Sequence, residues 1–186
     1  NKNITTDNGQ IDINAPVTLA TGDIAISSGS GGGNVDFSST ITGGQNLDIL
    51  SGTGSAIITG NIGATALTSL DINQSAGTGA VNLSGNIGSA SAAGAGITRI
   101  GNDNMTGALT FGGTDYNTSE AQTFIADSYL MSGADPDFNT SNDNVIFEDG
   151  NITLANISNL EINTGAGLSD GAGGDISIEG SILGTS

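Results

Sequence analysis

This chain has no cysteine, no histidine and no tryptophan, and only two basic residues, Lys2 and Arg99. Each absence removes a class of chemistry. Without His or Cys there is no thiolate or imidazole for a zinc site, no Cys nucleophile and no Ser-His-Asp triad. Without Cys there is also no disulfide, so the redox compartment leaves no mark on the sequence. Against the two cations stand 15 Asp and 4 Glu, for a net charge of −17. Phosphate neutralisation needs many Lys or Arg, so nucleic acid is excluded as a partner. The same sign excludes an anionic membrane surface. No run approaches the ~18 apolar residues of a membrane span, so membrane insertion is not expected.

What is present is as uneven as what is missing. Gly, Ser, Thr and Asn together make 93 of the 186 residues. The chain begins with Asn and shows no basic, apolar leader, as expected of a processed chain or an excised segment. Low hydrophobicity with high charge would suggest disorder. The 22 Ile, 12 Leu and 4 Val argue otherwise, because they recur at fixed intervals.

The interval is 23 residues. Ile24, Leu47 and Leu70 open successive copies of one pattern. Each copy holds a short alternating strand (Ile24/Ile26, Leu47/Ile49, Leu70/Ile72) and a Gly/Ser/Thr turn. A second alternating strand follows (Val35/Phe37, Ala56/Ile58, Val81/Leu83), then a closing apolar anchor (Ile41, Ile62, Ile87). Residues 9–17 align with 79–87 as a partial copy. A fourth copy is read from Asn159, with Leu160/Ile162, Ile176/Ile178 and Ile182 in the three places. Period-two alternation of β-branched residues is a strand signal, and dense Gly opposes helix.

Strands this short need stacking. Like residues at like positions favour a solenoid over antiparallel hairpins. The expected fold is therefore all-β: a single-stranded parallel β-helix, or β-solenoid, spanning 1–186 as one domain. About eight coils of ~23 residues at ~4.8 Å each make a rod ~40 Å long. Residues 1–100 and 151–186 form regular coils. An irregular insertion around 101–150, rich in Phe and holding both Tyr, is expected as bulkier coils with longer outward loops, or as a functional excursion on the scaffold. Asn61 and Asn86 are expected to form an amide ladder.

Three sets of residues invite a chemical reading. Asp135, Asp137, Asn139, Ser141 and Asp143 place oxygens at alternate positions, as the start of an EF-hand loop does. The sixth position is Thr140 rather than Gly and the twelfth Ile146 rather than Glu, so a solvated turn is the expectation and calcium the alternative. Asp48, Asp71 and Glu161 read as equivalent outward positions, where stacked carboxylates repel and a cation would relieve them. Screened surface charge is the plainer reading. A glycosidase pair lacks aromatic platforms, and a uronate lyase would have only Arg99 inside the chain. No catalytic, cofactor or metal residue is assigned, and no enzyme is expected. No cofactor is required.

The phrases GNIGATALTSLDI (60–72), GAVNLSGNIG (79–88), DNGQIDINAPVTL (7–19) and GGDISIEGSILG (173–184) resemble repeats of large secreted bacterial proteins of the filamentous-haemagglutinin and autotransporter-adhesin type. The segment 110–130 resembles bulkier repeats interspersed in the same proteins. The resemblance implies a right-handed parallel β-helix, a place outside the cell at the bacterial surface, and a role as stalk, adhesin or fibre. It offers no catalytic residue. The expected partners are a second copy stacked head to tail or neighbouring repeats of a longer chain. The alternative is a module whose loops in 101–150 recognise a surface glycan or a host receptor.

Overall fold

The structure, a computed structural model, describes residues 3–155, 159–165 and 173–184. They contain strands and no helix, and every strand-to-strand pairing is parallel. The chain winds as a β-solenoid with three faces. Coil 1 is β1 (Ile4–Thr5), β2 (Ile11–Ile13) and β3 (Val17–Thr18). Coil 2 is β4 (Ile24–Ser27), β5 (Val35–Phe37) and β6 (Ile41–Thr42). Coil 3 is β7 (Asn46–Leu50), β8 (Ala56–Ile58) and a single bridge residue, Ile62. Coil 4 is β9 (Leu67–Ile72), β10 (Val81–Leu83) and the bridge residue Ile87. Coil 5 is β11 (Ala95–Gly101), β12 (Leu109–Phe111) and β13 (Asp115–Asn117). In coil 6, β14 (Gln122–Met131) covers two faces and β15 (Asp137–Asn139) the third. Coil 7 repeats this with β16 (Val145–Leu154) and β17 (Glu161–Asn163). The described part of coil 8 is β18 (Ile176–Ile178) and β19 (Ile182–Gly184).

Register explains why these residues alternate. On the first face Ile26, Ile49, Ile72, Ile100, Phe124 and Phe147 stack directly over one another. On the second, Val35, Ala56, Val81, Leu109, Tyr129 and Ile152 do so. On the third the column is Val17, Ile41, Ile62, Ile87, Tyr116, Phe138, Ile162. Side chains one residue away point to the opposite side of the strand, so each column is either wholly inside or wholly outside. From Ile26 to Ile152 the inward columns form one continuous core, almost every member of which is shielded from water.

The corners are closed by small polar side chains. Thr6, Ser28 and Ser51 donate from successive coils to the carbonyls of Gly9, Gly33 and Gly54 (2.6, 2.6 and 2.9 Å). In coil 4 Asn73, in the left-handed region at φ 52°, takes over and accepts from the Ser51 N–H at 2.9 Å. Gly79 illustrates why Gly is dense: a Cβ there would overlap the Gly54 carbonyl oxygen of the coil below.

The 23-residue count holds from coil 2 to coil 4 and then breaks. Thr98 stacks on Leu70, 28 positions on, partly because residues 88–94 form an extra turn in which Ser89 and Ala92 exchange backbone hydrogen bonds (2.9 and 3.1 Å). Residues 101–150 then continue the solenoid in register as parts of coils 5 to 7. Their bulk points inward: Phe111, Phe124, Phe138 and Phe147 are each fully buried.

The copy read from Asn159 is displaced by one face. Leu160 and Ile162 lie on or beside the third face, where Ile162 stacks on Phe138. The first-face strand of coil 8 is Ile176–Ile178, paired with Val145–Phe147, and the second-face strand is Ile182–Gly184. The partial copy at 9–17 is in phase: Ile11 and Ile13 lie on the second face and Val17 on the third.

Candidate functional site

Asp48 and Asp71 are Cα partners on the outside of the first face, as their spacing implies. The next member of their column is Arg99. Its guanidinium grips Asp71 with two bonds, Nε to Oδ1 at 2.6 Å and Nη2 to Oδ2 at 2.9 Å. Asp48 is left beside Asp71 with no such partner of its own. Loss of water around it, and then Asp71, raise its pKa, with Arg99 opposing. Glu161 does not belong to this column. It lies on the third face, stacked on Asp137, which is stacked on Asp115.

That second carboxylate column disperses the expected calcium loop. Asp137 and Asn139 lie on β15, extended along the third face, with Phe138 turned inward between them. Asp135 sits before the strand at φ 46°, and its Oδ1 accepts the Asn159 N–H at 2.9 Å. Asp143 lies past the next corner, where its carbonyl accepts the Thr140 hydroxyl. These oxygens run along a strand instead of wrapping a point. Among the described residues no three acidic side chains are placed to hold a metal ion. Asp137 has its pKa raised, first by loss of water, then by Glu161, Asp115 and Asp135.

The third-face corner carries a feature the 23-residue reading passed over. Asp115-Tyr-Asn-Thr118, Asp137-Phe-Asn-Thr140 and Glu161-Ile-Asn-Thr164 are three copies of one tetrapeptide. In each, the acidic residue faces out and the apolar one faces the core. The Thr hydroxyl closes the corner on a carbonyl, that of Glu120 (2.5 Å), Asp143 or Gly174 (2.7 Å). The Asn residues form a column: Asn139 Nδ2 donates to Asn117 Oδ1 at 2.6 Å, and Asn117 Nδ2 donates to the Ser89 carbonyl. Between this column and the extra turn at 89–93 runs an open groove of about 520 Å³, lined only by Asn, Thr, Ser and Ala. The tetrapeptide, recurring at 115, 137 and 161, was the signal for it.

The expected ladder of Asn61 and Asn86 exists in another form. Asn61 Oδ1 accepts the backbone N–H of Asn86 at 3.0 Å, and Asn86 Oδ1 accepts that of Thr114 at 2.8 Å. Each amide thus bonds the main chain of the next coil.

The two ends of the solenoid are the remaining distinctive surfaces. Ile4 is 45% exposed, Ile176 49%, Ile182 51% and Leu183 47%. Ile26, the partner of Ile4, is 2% exposed, and Val145 and Ile152, the partners of Ile176 and Ile182, are wholly buried. Except for Leu183, which lies on the outward column with Thr153, these are core positions lacking a neighbour on one side. Comparison with protein-family models, with curated proteins and with solved structures returned no match for this chain.

Proposed function

We propose that this chain is a non-catalytic structural segment, a stretch of extracellular β-solenoid that forms or extends a fibre at a bacterial surface. The observation that carries this reading is the open core at each end, where inward Ile residues are exposed. A parallel coil whose edge is uncapped is a template for another coil.

The columns set the register of such a junction. A following coil beginning as coil 1 does would put Ile4 over Ile178, Ile11 over Ile182 and Ile13 over Gly184. On the outside, Asn3 would meet Ser177, Thr5 would meet Glu179 and Asp12 would meet Leu183. No like charges are opposed there, despite the net charge of −17. Adjoining repeats of a longer chain or the first coil of a second copy meet the same requirement. The extracellular, surface-fibre part of the reading rests on the repeat resemblance and on the excess of Gly, Ser, Thr and Asn.

Electron microscopy and sedimentation of the 186-residue chain test self-stacking. Rods longer than ~40 Å that shorten on Ile182→Asp are expected. A concentration-independent monomer overturns stacking between copies.

The groove beside the Asn column supports a second reading, a binding module for a neutral polar chain such as a glycan, on a passive scaffold. Deleting 113–143 would not test it, because those residues build coils 5 and 6. The suitable variant is Ser89→Trp, which fills the groove from an exposed turn. Loss of binding across a glycan panel, with rods retained, would favour the module.

A further inference from the structure

The inward column next to the Ile26 column is apolar at both ends and polar in the middle: Ile24, Leu47, Leu70, Thr98, Gln122, Val145, Ile176. Thr98 and Gln122 are Cα partners in coils 5 and 6, and both are completely shielded from solvent. Two of their atoms, Thr98 Oγ1 and Gln122 Oε1, have no hydrogen-bond partner. Leaving a buried polar atom unpaired is costly, and native interiors rarely do it without water.

The amide cannot escape by turning over. Its Nε2 donates towards the Tyr116 carbonyl (2.7 Å), the Asn139 carbonyl (3.0 Å) and the Thr118 hydroxyl (3.1 Å). Reversed, its oxygen would face two carbonyl oxygens, so Oε1 is held away from that corner. A hydroxyl one coil away is the group whose needs are complementary to it. Adjacent strands lie 4.7–4.9 Å apart. Two hydrogen bonds of ~2.8 Å meeting at a tetrahedral angle span about 4.5 Å.

We propose that the core between coils 5 and 6 binds one water molecule, which donates to Gln122 Oε1 and bonds the Thr98 hydroxyl. The flanking Leu70 and Val145 give it no neighbour along the column, so it is a single internal site and not part of a file. Such a water exchanges only when the coils part, and its residence time reports the opening of the solenoid at that level.

Magnetic relaxation dispersion of the solvent, measured on the full chain, counts long-lived internal waters. The near-isosteric Thr98→Val variant is expected to show one fewer than the unsubstituted chain. An unchanged count overturns the proposal. If that variant does not fold, a high-resolution crystal structure of the unsubstituted chain decides. Density for a water between the two side chains supports the site, and a direct Thr98 Oγ1 to Gln122 Oε1 bond overturns it.

Discussion

Coils 2 to 4 and coils 5 to 7 wind on the same three columns but fill them differently. The first three use Ile, Leu, Val and Ala, with Phe37 as the one ring. The next three place Phe111, Tyr116, Phe124, Tyr129, Phe138 and Phe147 at equivalent positions. Phe111 meets Tyr116, Phe124 and Phe138 edge to face, at centroid distances of 4.9, 5.1 and 5.0 Å. Tyr116 stacks on Phe138 at 4.8 Å.

The corners change with the filling. In coils 2 to 4 a Gly-rich loop joins the first two faces and a Ser or Asn closes it. In coils 6 and 7 the faces merge into one ten-residue strand. There the corner is closed from inside. The Tyr129 hydroxyl accepts the Ala126 N–H at 3.1 Å and donates to the Phe124 carbonyl at 2.8 Å, with the Glu148 carbonyl also in reach. In coil 5, Tyr116 does the same for the Gly113 N–H and the Leu83 carbonyl. A phenol thus fills volume and satisfies a bend at once, which a Leu cannot do. The lesson is that coil spacing constrains the backbone while leaving core volume free, provided the corner is rebuilt.

The largest expected effect breaks the aromatic half. Phe111→Ala should cost about 3–5 kcal/mol in denaturant unfolding. Leu83→Ala, one coil below in the same column, should cost less, about 2–4 kcal/mol, because no ring cluster surrounds it. Equal costs would erase the distinction. Next comes Tyr129→Phe, which keeps the ring and deletes the corner hydroxyl. About 1–3 kcal/mol is expected, read from the same unfolding curves.

A smaller effect follows from acid. Asp137 and Glu148 in the second half, and Asp48 in the first, all have raised pKa values, each chiefly from loss of water. The folded chain therefore holds protons that the unfolded chain releases. Stability should rise as pH falls from neutral toward about 4.5, and be lost as pH climbs back through the raised values. Thermal melting across that range checks the sign. Asp137→Asn should flatten the slope. The smallest effect is Arg99→Met. The guanidinium is 41% exposed, so losing its grip on Asp71 should cost under about 1 kcal/mol, and less in high salt.

The first four coils were legible in the sequence because each face shows its own residues at constant spacing. Ile24/Ile26, Val35/Phe37 and Ile41 fall on three different faces in the order read. The later coils were harder for a physical reason. Asn159-Leu-Glu-Ile looks like Asn46-Leu-Asp-Ile, and on any face an outward acid between two apolar residues gives the same local string. What separates them is the Asn-Thr that follows Ile162, which closes a third-face corner, whereas Leu50 and Ser51 follow Ile49. The groove went unseen because it depends on coils 22 to 28 residues apart being stacked. The unpaired Thr98 and Gln122 were equally hidden, since nothing local marks a polar residue as inward.

The parallel pairing, offset by about 24 residues per coil, has a mechanical consequence. Hydrogen bonds between coils lie along the axis of the rod. Tension applied at the two ends therefore loads one coil-to-coil seam at a time. Each coil that peels away lengthens the chain by roughly 80 Å, at ~3.4 Å per extended residue. Such a rod behaves as a force-limiting spring that yields in even steps, the aliphatic coils before the aromatic ones.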